Sequence, residues 1–402
     1  MLLYRILVSV FAVVVLTRAF ARQGRAALRE RLGWGGPKDG KARIWLHAAS
    51  NGELSSVRPV IRALAEARPD LSLVVTCNSE SGVALAREMG LDACLAPVDL
   101  SWIVRRFVRD WSVAAHVAVE SELWPNRLFA VPGPVIVLGG RISAKSARNW
   151  ARLPDLAARL LGRVDLLIPQ DAASRERFLS LGLPGAAAGP VTELKSLYAP
   201  PADLTSDHVF ADAYPRETTW LAASTHKGEE EIVIAAHLEA KAREPDLRLI
   251  LALRHPHRAA EVAALLREAG LDYALRSRGD APREVLLADT LGEMARWYSQ
   301  AGRVFIGGTL TDRGGHTPFE PAHFGAAILH GPDVANFARP FARLLSENAA
   351  IEVETASDLA EGLAHLSDPA SQALAGDRAR AALGAETDLA DLMALVLPLL
   401  PE

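Results

Sequence analysis

The sequence predicts an α/β chain of two domains, each a parallel sheet covered by helices, preceded by a helix suited to a membrane surface. Three observations carry that expectation. Short β-branched or apolar runs alternate with longer amphipathic ones from residue 43 to about residue 183, and a second such series starts at Thr219. A chain of 402 residues, half of them hydrophobic, exceeds one ordinary core and suits two. The stretch Tyr198-Ala199-Pro200-Pro201-Ala202-Asp203 breaks the alternation and reads as a linker. The expected organisation is therefore an anchor and basic helix over 1–31, a first domain over 32–197, a linker over 198–216 and a second domain over 217–402.

The N-terminal segment is almost wholly apolar over residues 6–17, with Leu2, Leu3 and Tyr4 before it and Arg5 interrupting. It is shorter than the roughly 20 residues that span a bilayer comfortably, so it fits an anchor whose Arg5 snorkels or a helix lying in the interface. Ala19-Phe20-Ala21 resembles a signal-peptide cleavage site, but the arginines around it disfavour that reading. Arg18, Arg22, Arg25 and Arg29 follow at helical spacing with Arg31 beside them and Glu30 as the sole acid. By the positive-inside rule a basic face next to an apolar anchor is expected to be cytoplasmic, the alternative being an arginine-rich solvated helix.

Candidate strands in the first series are 44–47, 71–76, 113–119, 135–138 and 166–169; in the second, 219–222, 247–253, 285–287, 304–306 and 327–329. Cys77 and Cys94 lie in apolar stretches that also read as strands, so they are expected as buried thiols rather than a disulfide or metal pair. A net charge of -4 argues against a nucleic-acid binder, so any anion site has to be local. The unusual residues sit just after the strands, where open α/β sheets bind ligands, and two such sheets facing one another would gather them in a cleft.

In the second series, Gly307-Gly308-Thr309 through Gly314-Gly315-His316 follows a buried strand, with Thr317 and Pro318 expected as helix cap and first helical residue. Glycines and a helix N-terminus suit a phosphate, while Thr317 and Glu320 also have the spacing of a capping box. Ser224 or Thr225 is expected to cap the next helix and, with Lys227, to hold a phosphate. Arg254-His255-Pro256-His257-Arg258 crowds cationic side chains at a strand end, a strain that an anion relieves. In the first series, Ser50 and Glu53 again have capping-box spacing, and a carboxylate near a helix N-terminus tends to stay ionised, as a general base must. Glu120 and Glu122 put paired acids at another strand end, before Trp124, Pro125 and Asn126. The sequence carries no metal-ligand spacing, P-loop, nucleophile elbow or dinucleotide loop, so no metal or redox cofactor is expected.

Taken together and in order, these segments resemble the bacterial 3-deoxy-D-manno-octulosonic acid (Kdo) transferases, inverting glycosyltransferases of the two-Rossmann-domain GT-B type. The likeness covers nearly the whole chain. It runs through His47-Ala48-Ala49-Ser50 with Gly52-Glu53, Glu120 to Asn126, Arg141-Ile142-Ser143, Ser224-Thr225-His226 with Gly228-Glu229-Glu230, and Arg254-His255-Pro256. It continues through Asp289 to Glu293, Gly314-Gly315-His316 with Glu320-Pro321-Ala322, and Gly331-Pro332 with Asn336-Phe337. The resemblance implies transfer of Kdo from CMP-Kdo to a lipid A precursor at the cytoplasmic face of the inner membrane, without a cofactor. It implies Glu53 as catalytic base and Ser50, Glu120, Glu122 and Arg141 on the acceptor side. On the CMP side it implies Ser224, Thr225, Arg254, His255, Gly314, Gly315, His316, Glu320 at the ribose, and Asn336. Thr317 stands where the family pattern has Asn, and of its Asn-Leu-Lys-Phe-Asp segment only Lys195 is a clear match. A GT-B enzyme using another nucleotide sugar, an epimerase on the same architecture and an inactive binding paralogue remain open on the residues alone.

Overall fold

The computed structural model describes residues 2–37, 39–120, 122–198, 208–384 and 387–401. The chain divides into two compact units, Met1–Leu197 with Ala385–Glu402, and Tyr198–Gly384.

The first unit holds six parallel strands: β1 (Arg43–His47), β2 (Ser72–Cys77), β3 (Asp92–Leu95), β4 (Val113–Val119), β5 (Val135–Gly140) and β6 (Leu166–Pro169). Their order is β3-β2-β1-β4-β5-β6, so chain direction across the sheet reverses between β1 and β4. Both faces of the sheet are covered, and for that reason its strands are nearly continuous apolar runs rather than alternating ones. Ile44 and Leu46 pack with Val60, Ile61 and Leu64 of the helix Arg58–Ala67. Trp45, one residue out of phase, packs instead on Phe107 at 4.6 Å between ring centroids. Leu392, Met393 and Val396 of the helix Leu389–Val396 enter the first of these cores, so the end of the chain returns to the first unit. Both cysteines are buried free thiols.

The second unit holds seven parallel strands: β7 (Thr219–Thr225), β8 (Arg248–Leu253), β9 (Tyr273–Leu275), β10 (Val285–Ala288), β11 (Arg303–Ile306), β12 (Ala327–His330) and β13 (Ala350–Glu352). The order β13-β12-β11-β7-β8-β10-β9 reverses between β7 and β11. Leu221, Val304 and Ile306 pack with Trp297 and Phe341 on one face. Trp220, Leu249 and Phe305 pack with Val233 and Leu363 on the other. Part of the expected linker, residues 199–207, lies outside the described residues; its described part puts Phe210 and Tyr214 into the second core.

The N-terminal helix α1 (Leu2–Arg31) is interrupted at Gly24, whose φ of 83° is a left-handed value that glycine adopts without steric penalty. The break divides the expected basic face, leaving Arg18 and Arg22 on one segment and Arg25 and Arg29 on the next. Val8, Ala12, Ala19 and Ala27 are buried against the first unit, while Val10, Phe11, Val13, Val14 and Phe20 are exposed. Among the described residues, no helix is long and apolar enough to cross a membrane.

Candidate functional site

The direction reverses between β1 and β4, and the region beyond the carboxyl ends of such strands is the usual ligand position in open α/β sheets. The chain leaving β1 caps the helix Asn51–Ser56 with Ser50, whose Oγ accepts the Glu53 N–H at 3.3 Å. Glu53 reaches back, accepting the Ala49 N–H at 2.8 Å and the Ser50 hydroxyl at 3.1 Å. The expected reciprocal cap is thus present, with its return bond on Ala49.

That cap does not keep Glu53 strongly acidic. Burial, joined by the nearby Glu120 and Glu122 carboxylates, raises its pKa to about 7 against the opposing Ala49 and Ser50 hydrogen bonds. The expectation from the helix N-terminus alone is therefore corrected, because desolvation and like charge outweigh it here.

Glu120 directly follows β4 in a left-handed conformation, φ 57°, uncommon for a non-glycine residue and concentrated at functional positions. Burial raises its pKa too, opposed by Lys195 and Arg141, which brings both cations to the same end of the sheet. Ser121 lies outside the described residues.

Glu122 behaves differently. Burial works against its charge, yet the His47 ring, the Trp124 N–H and Arg127 hold it down at about 2. Trp124 Nε1 donates to its Oε2 at 2.5 Å and His47 Nε2 lies 3.1 Å from the same oxygen. His47 is fully buried, and burial followed by Arg127 lowers its pKa to about 4. It is therefore neutral at pH 7. Its Nδ1 lies 2.9 Å from the Thr76 carbonyl and 2.8 Å from the Thr76 hydroxyl, and that hydroxyl accepts from Trp45 Nε1 at 2.7 Å. The pair is thus one ionised carboxylate, Glu122, beside one carboxyl poised near neutrality, Glu53. Asn126 turns to Asp99, donating its backbone N–H at 3.0 Å and its side-chain amide to the Asp99 carbonyl at 2.6 Å.

In the second unit the reversal lies between β7 and β11, and the segments that follow those strands meet. His226 Nε2 and His316 Nε2 are 2.9 Å apart with rings 8° from parallel. His255 approaches His226 edge-on at 5.5 Å. Burial, His255, Arg313 and Arg254 lower the His226 pKa to about 4, and burial, His226, Arg254 and His255 do the same for His316. His255 is itself held low by burial and Arg254. These causes describe one electropositive cluster.

The loop after β11 departs from expectation. The buried Glu229 carboxylate accepts the backbone N–H groups of His226 at 2.9 Å, Gly308 at 2.8 Å, Thr309 at 3.1 Å and Leu310 at 3.0 Å. The amides that the glycine pattern offers to a phosphate are therefore engaged inside the protein. Gly314 donates to Asp333 at 2.6 Å, and Asn336 Nδ2 donates to the carbonyls of Arg313 at 2.8 Å and Gly315 at 3.3 Å. Gly314 and Gly315 both have positive φ, so Asn336 fixes a turn that side chains at these positions would strain.

Other local expectations shift as well. Ser224 and Thr225 belong to β7 and do not cap the helix Glu230–Lys241, whose N-cap is Glu229. Ser224 has φ 58°, and Thr225 is buried with its hydroxyl beside Glu230. Arg258 is paired with Glu230 at 2.7 Å and Lys227 with Glu261 at 3.5 Å, so neither stands as an open cation. The helix Phe319–His323 starts one residue later than expected, with Pro318 rather than Thr317 at its N-cap. That moves Glu320 out of capping-box register with Thr317, and its carboxylate lies within electrostatic reach of the buried Tyr298 hydroxyl. Among the described residues, no group of three or more His, Cys, Asp or Glu is arranged to hold a metal ion.

His47, Thr76 and Trp124 in the first unit, and His226, Glu229 and Arg313 in the second, complete these arrangements. Their residue types occur in the motifs, but their partners are remote in sequence. His47, Trp124, His226 and Glu229 stand in motifs at strand ends, but nothing in the sequence hinted at the role of Thr76.

Residues 26–197 match the family model described as 3-Deoxy-D-manno-octulosonic-acid transferase (kdotransferase). The chain is 31% identical over 359 residues to a 3-deoxy-D-manno-octulosonic acid transferase of Haemophilus influenzae, covering 84% of this chain and 82% of that one. It is 33% identical over 383 residues to the protein of that description from Bordetella pertussis, covering 90% and 86%. A solved structure of UDP-GlcNAc 2-epimerase from Neisseria meningitidis bound to UDP-GlcNAc superposes with a TM-score of 0.60 over 89% of this chain and 100% of that one. At 12% identity that likeness speaks to the fold alone.

Proposed function

This chain belongs to the 3-deoxy-D-manno-octulosonic acid (Kdo) transferase family, and we propose that it moves Kdo from CMP-Kdo to a lipid A precursor by direct displacement, with Glu53 as general base. The observation that carries the reading is the carboxyl of Glu53, lifted to about 7 at the reversal point of the first sheet. A base with a pKa near the working pH combines availability with basicity.

In the proposed step an acceptor hydroxyl gives its proton to Glu53 as its oxygen forms a bond to the anomeric carbon of Kdo. The bond from that carbon to the CMP phosphate oxygen breaks, and the electron pair leaves with the phosphate. One displacement inverts the configuration and needs one base rather than a nucleophile and acid pair. Glu122, held ionised, favours positive charge developing at the sugar ring, while Ser50, Glu120, Arg141 and Lys195 orient the acceptor. No resident metal or redox cofactor enters this step.

On the donor side the reading assigns the anionic leaving group to Arg254, His255, His316 and His226, with Ser224 and Thr225 at the end of β7. The cationic crowding of those side chains supports it, since an anion there relieves like-charge repulsion. Glu320 is assigned to the ribose hydroxyls, and the turn of Gly314 and Gly315, fixed by Asn336, to the nucleotide.

For location, the reading sets α1 against the cytoplasmic face of the inner membrane. Its exposed Val10, Val13, Val14 and Phe20 suit the acyl boundary and its exposed arginines suit anionic headgroups.

The experiment is a transfer assay of the purified chain with CMP-Kdo and a lipid A precursor, products read by mass. The expected result is acceptor heavier by Kdo. Turnover with UDP-sugars and none with CMP-Kdo would contradict it.

A further inference from the structure

We propose that α1 is a positioning part of the acceptor-side site as well as a membrane element: Tyr4 and Phe11 fix the segment 122–127 that carries Glu122. The effect on rate rests on the transfer reading above; the contacts do not.

The segment needs outside support. Trp124 is the N-cap of the helix Pro125–Ala130 yet makes no side-chain capping bond, and Pro125 stands at the first helical turn. The first amides of that helix go instead to the buried Asp99, Asn126 N–H to Oδ2 at 3.0 Å and Arg127 N–H to Oδ1 at 2.9 Å. Tyr4 donates its hydroxyl to the same Oδ2. Burial raises the pKa of Asp99, so each donor matters in keeping this carboxylate charged and in place.

A second contact comes from the same helix face. Tyr4 and Phe11 are seven residues apart, two helical turns, with the buried Val8 and Ala12 beside them. Phe11 stacks on Trp124, ring centroids 5.8 Å apart and planes 27° from parallel. Trp124 in turn holds Glu122 through its 2.5 Å hydrogen bond. Behind it the buried Arg127 guanidinium lies 5.4 Å from the Trp124 ring and 5.7 Å from that of Trp45, donating to the Pro97 carbonyl at 3.0 Å.

Two paths therefore run from α1 into the site, Tyr4 to Asp99 to the start of the helix Pro125–Ala130, and Phe11 to Trp124 to Glu122. Loosening α1 weakens the Trp124 support of the carboxylate beside Glu53, leaving its His47 contact, without touching Glu53 itself. A small misplacement of a group near reacting atoms costs up to on the order of 10²-fold in rate.

The test uses the full chain in detergent micelles, so that delivery to a membrane does not limit turnover. Amide exchange of the peptide covering residues 122–130 is followed in wild type, Tyr4→Phe, Phe11→Ala and Phe11→Tyr, alongside kcat and KM for CMP-Kdo and acceptor. Tyr4→Phe and Phe11→Ala should speed exchange of that peptide about tenfold. They should lower kcat at least about tenfold with little change in KM, and Phe11→Tyr, which keeps the ring, should restore both. Unchanged exchange in this peptide overturns the proposal whatever the activity. Faster exchange with wild-type kcat, or failure of Phe11→Tyr to restore it, overturns the positioning role. If wild type itself makes no product, the transfer reading fails and the exchange result alone decides whether α1 fixes this segment.

Discussion

His226 and His316 meet nitrogen to nitrogen, their Nε2 atoms 2.9 Å apart in the second unit. Two protonated nitrogens repel at that distance, so one Nε2 carries the proton and the other accepts it. An anion bound against the pair, with Arg254 and Arg313 around it, raises from about 4 the pKa at which the pair takes up a further proton. Complex formation then takes up protons between the free and bound values, and affinity strengthens as pH falls through that window. Calorimetry of CMP binding at pH 6 in buffers of different ionisation enthalpy should show net uptake. Proton-neutral binding would remove the pair from the anion site.

Glu229 organises the loop that the pair belongs to. Its carboxylate satisfies four backbone N–H groups, and Glu229→Ala leaves them buried without it. At about 1–3 kcal/mol for each group left unsatisfied, and with partial relaxation, the loss should be roughly 3–5 kcal/mol. The melting temperature should fall by about 10 °C, given ~2–4 °C per kcal/mol in a domain of this size, and CMP affinity should fall with it. A variant melting within about 2 °C of wild type would contradict the anchor role.

Much of this was legible in the sequence, and the exceptions share physical causes. The nine internal strands, and the buried edge strand β6, stand out because burial makes them apolar runs. β3, β9 and β13 each lie at a sheet edge, and β9 and β13 have only three residues each, so their pattern is weak; only the apolar setting of Cys94 hinted at β3. The acids and cations at strand ends were visible as types, and Glu53 with Ser50 as a cap. What sequence spacing could not show was competition: Glu229 taking the loop amides, Glu230 taking Arg258, and burial overriding the helix N-terminus at Glu53. Each depends on a partner brought near only by the fold.

For α1, the exposed Val13 and Val14 test the membrane reading separately from folding. Replacing both with Glu should release the chain from anionic vesicles, because two buried charges are added to an interfacial face. Thermal stability in detergent should hold, since both side chains are exposed. Retention on vesicles in high salt would contradict the reading.

Glu53 makes a linked pair of pH predictions. As a base it works only when ionised, so kcat/KM should fall below an apparent pKa of about 7. Its folded-state pKa lies above that of an ordinary carboxyl, so the folded protein holds the proton more tightly. Stability from this group is present at low pH and is lost as pH rises through about 7. Glu53→Gln should therefore melt above wild type at pH 8, with the gap closing below pH 5. A flat pH–rate profile between pH 5.5 and 8 would argue against Glu53 as the titrating base.

The most direct measurement of the central claim is product formation by Glu53→Gln at saturating CMP-Kdo and lipid A precursor, with CMP affinity measured on the same preparation. Gln keeps an oxygen to accept the Ala49 N–H but cannot take the acceptor's proton. Transfer should slow on the order of 10²–10⁴-fold with CMP affinity unchanged. Turnover within a few-fold of wild type would contradict it and move the base to Glu120 or Glu122.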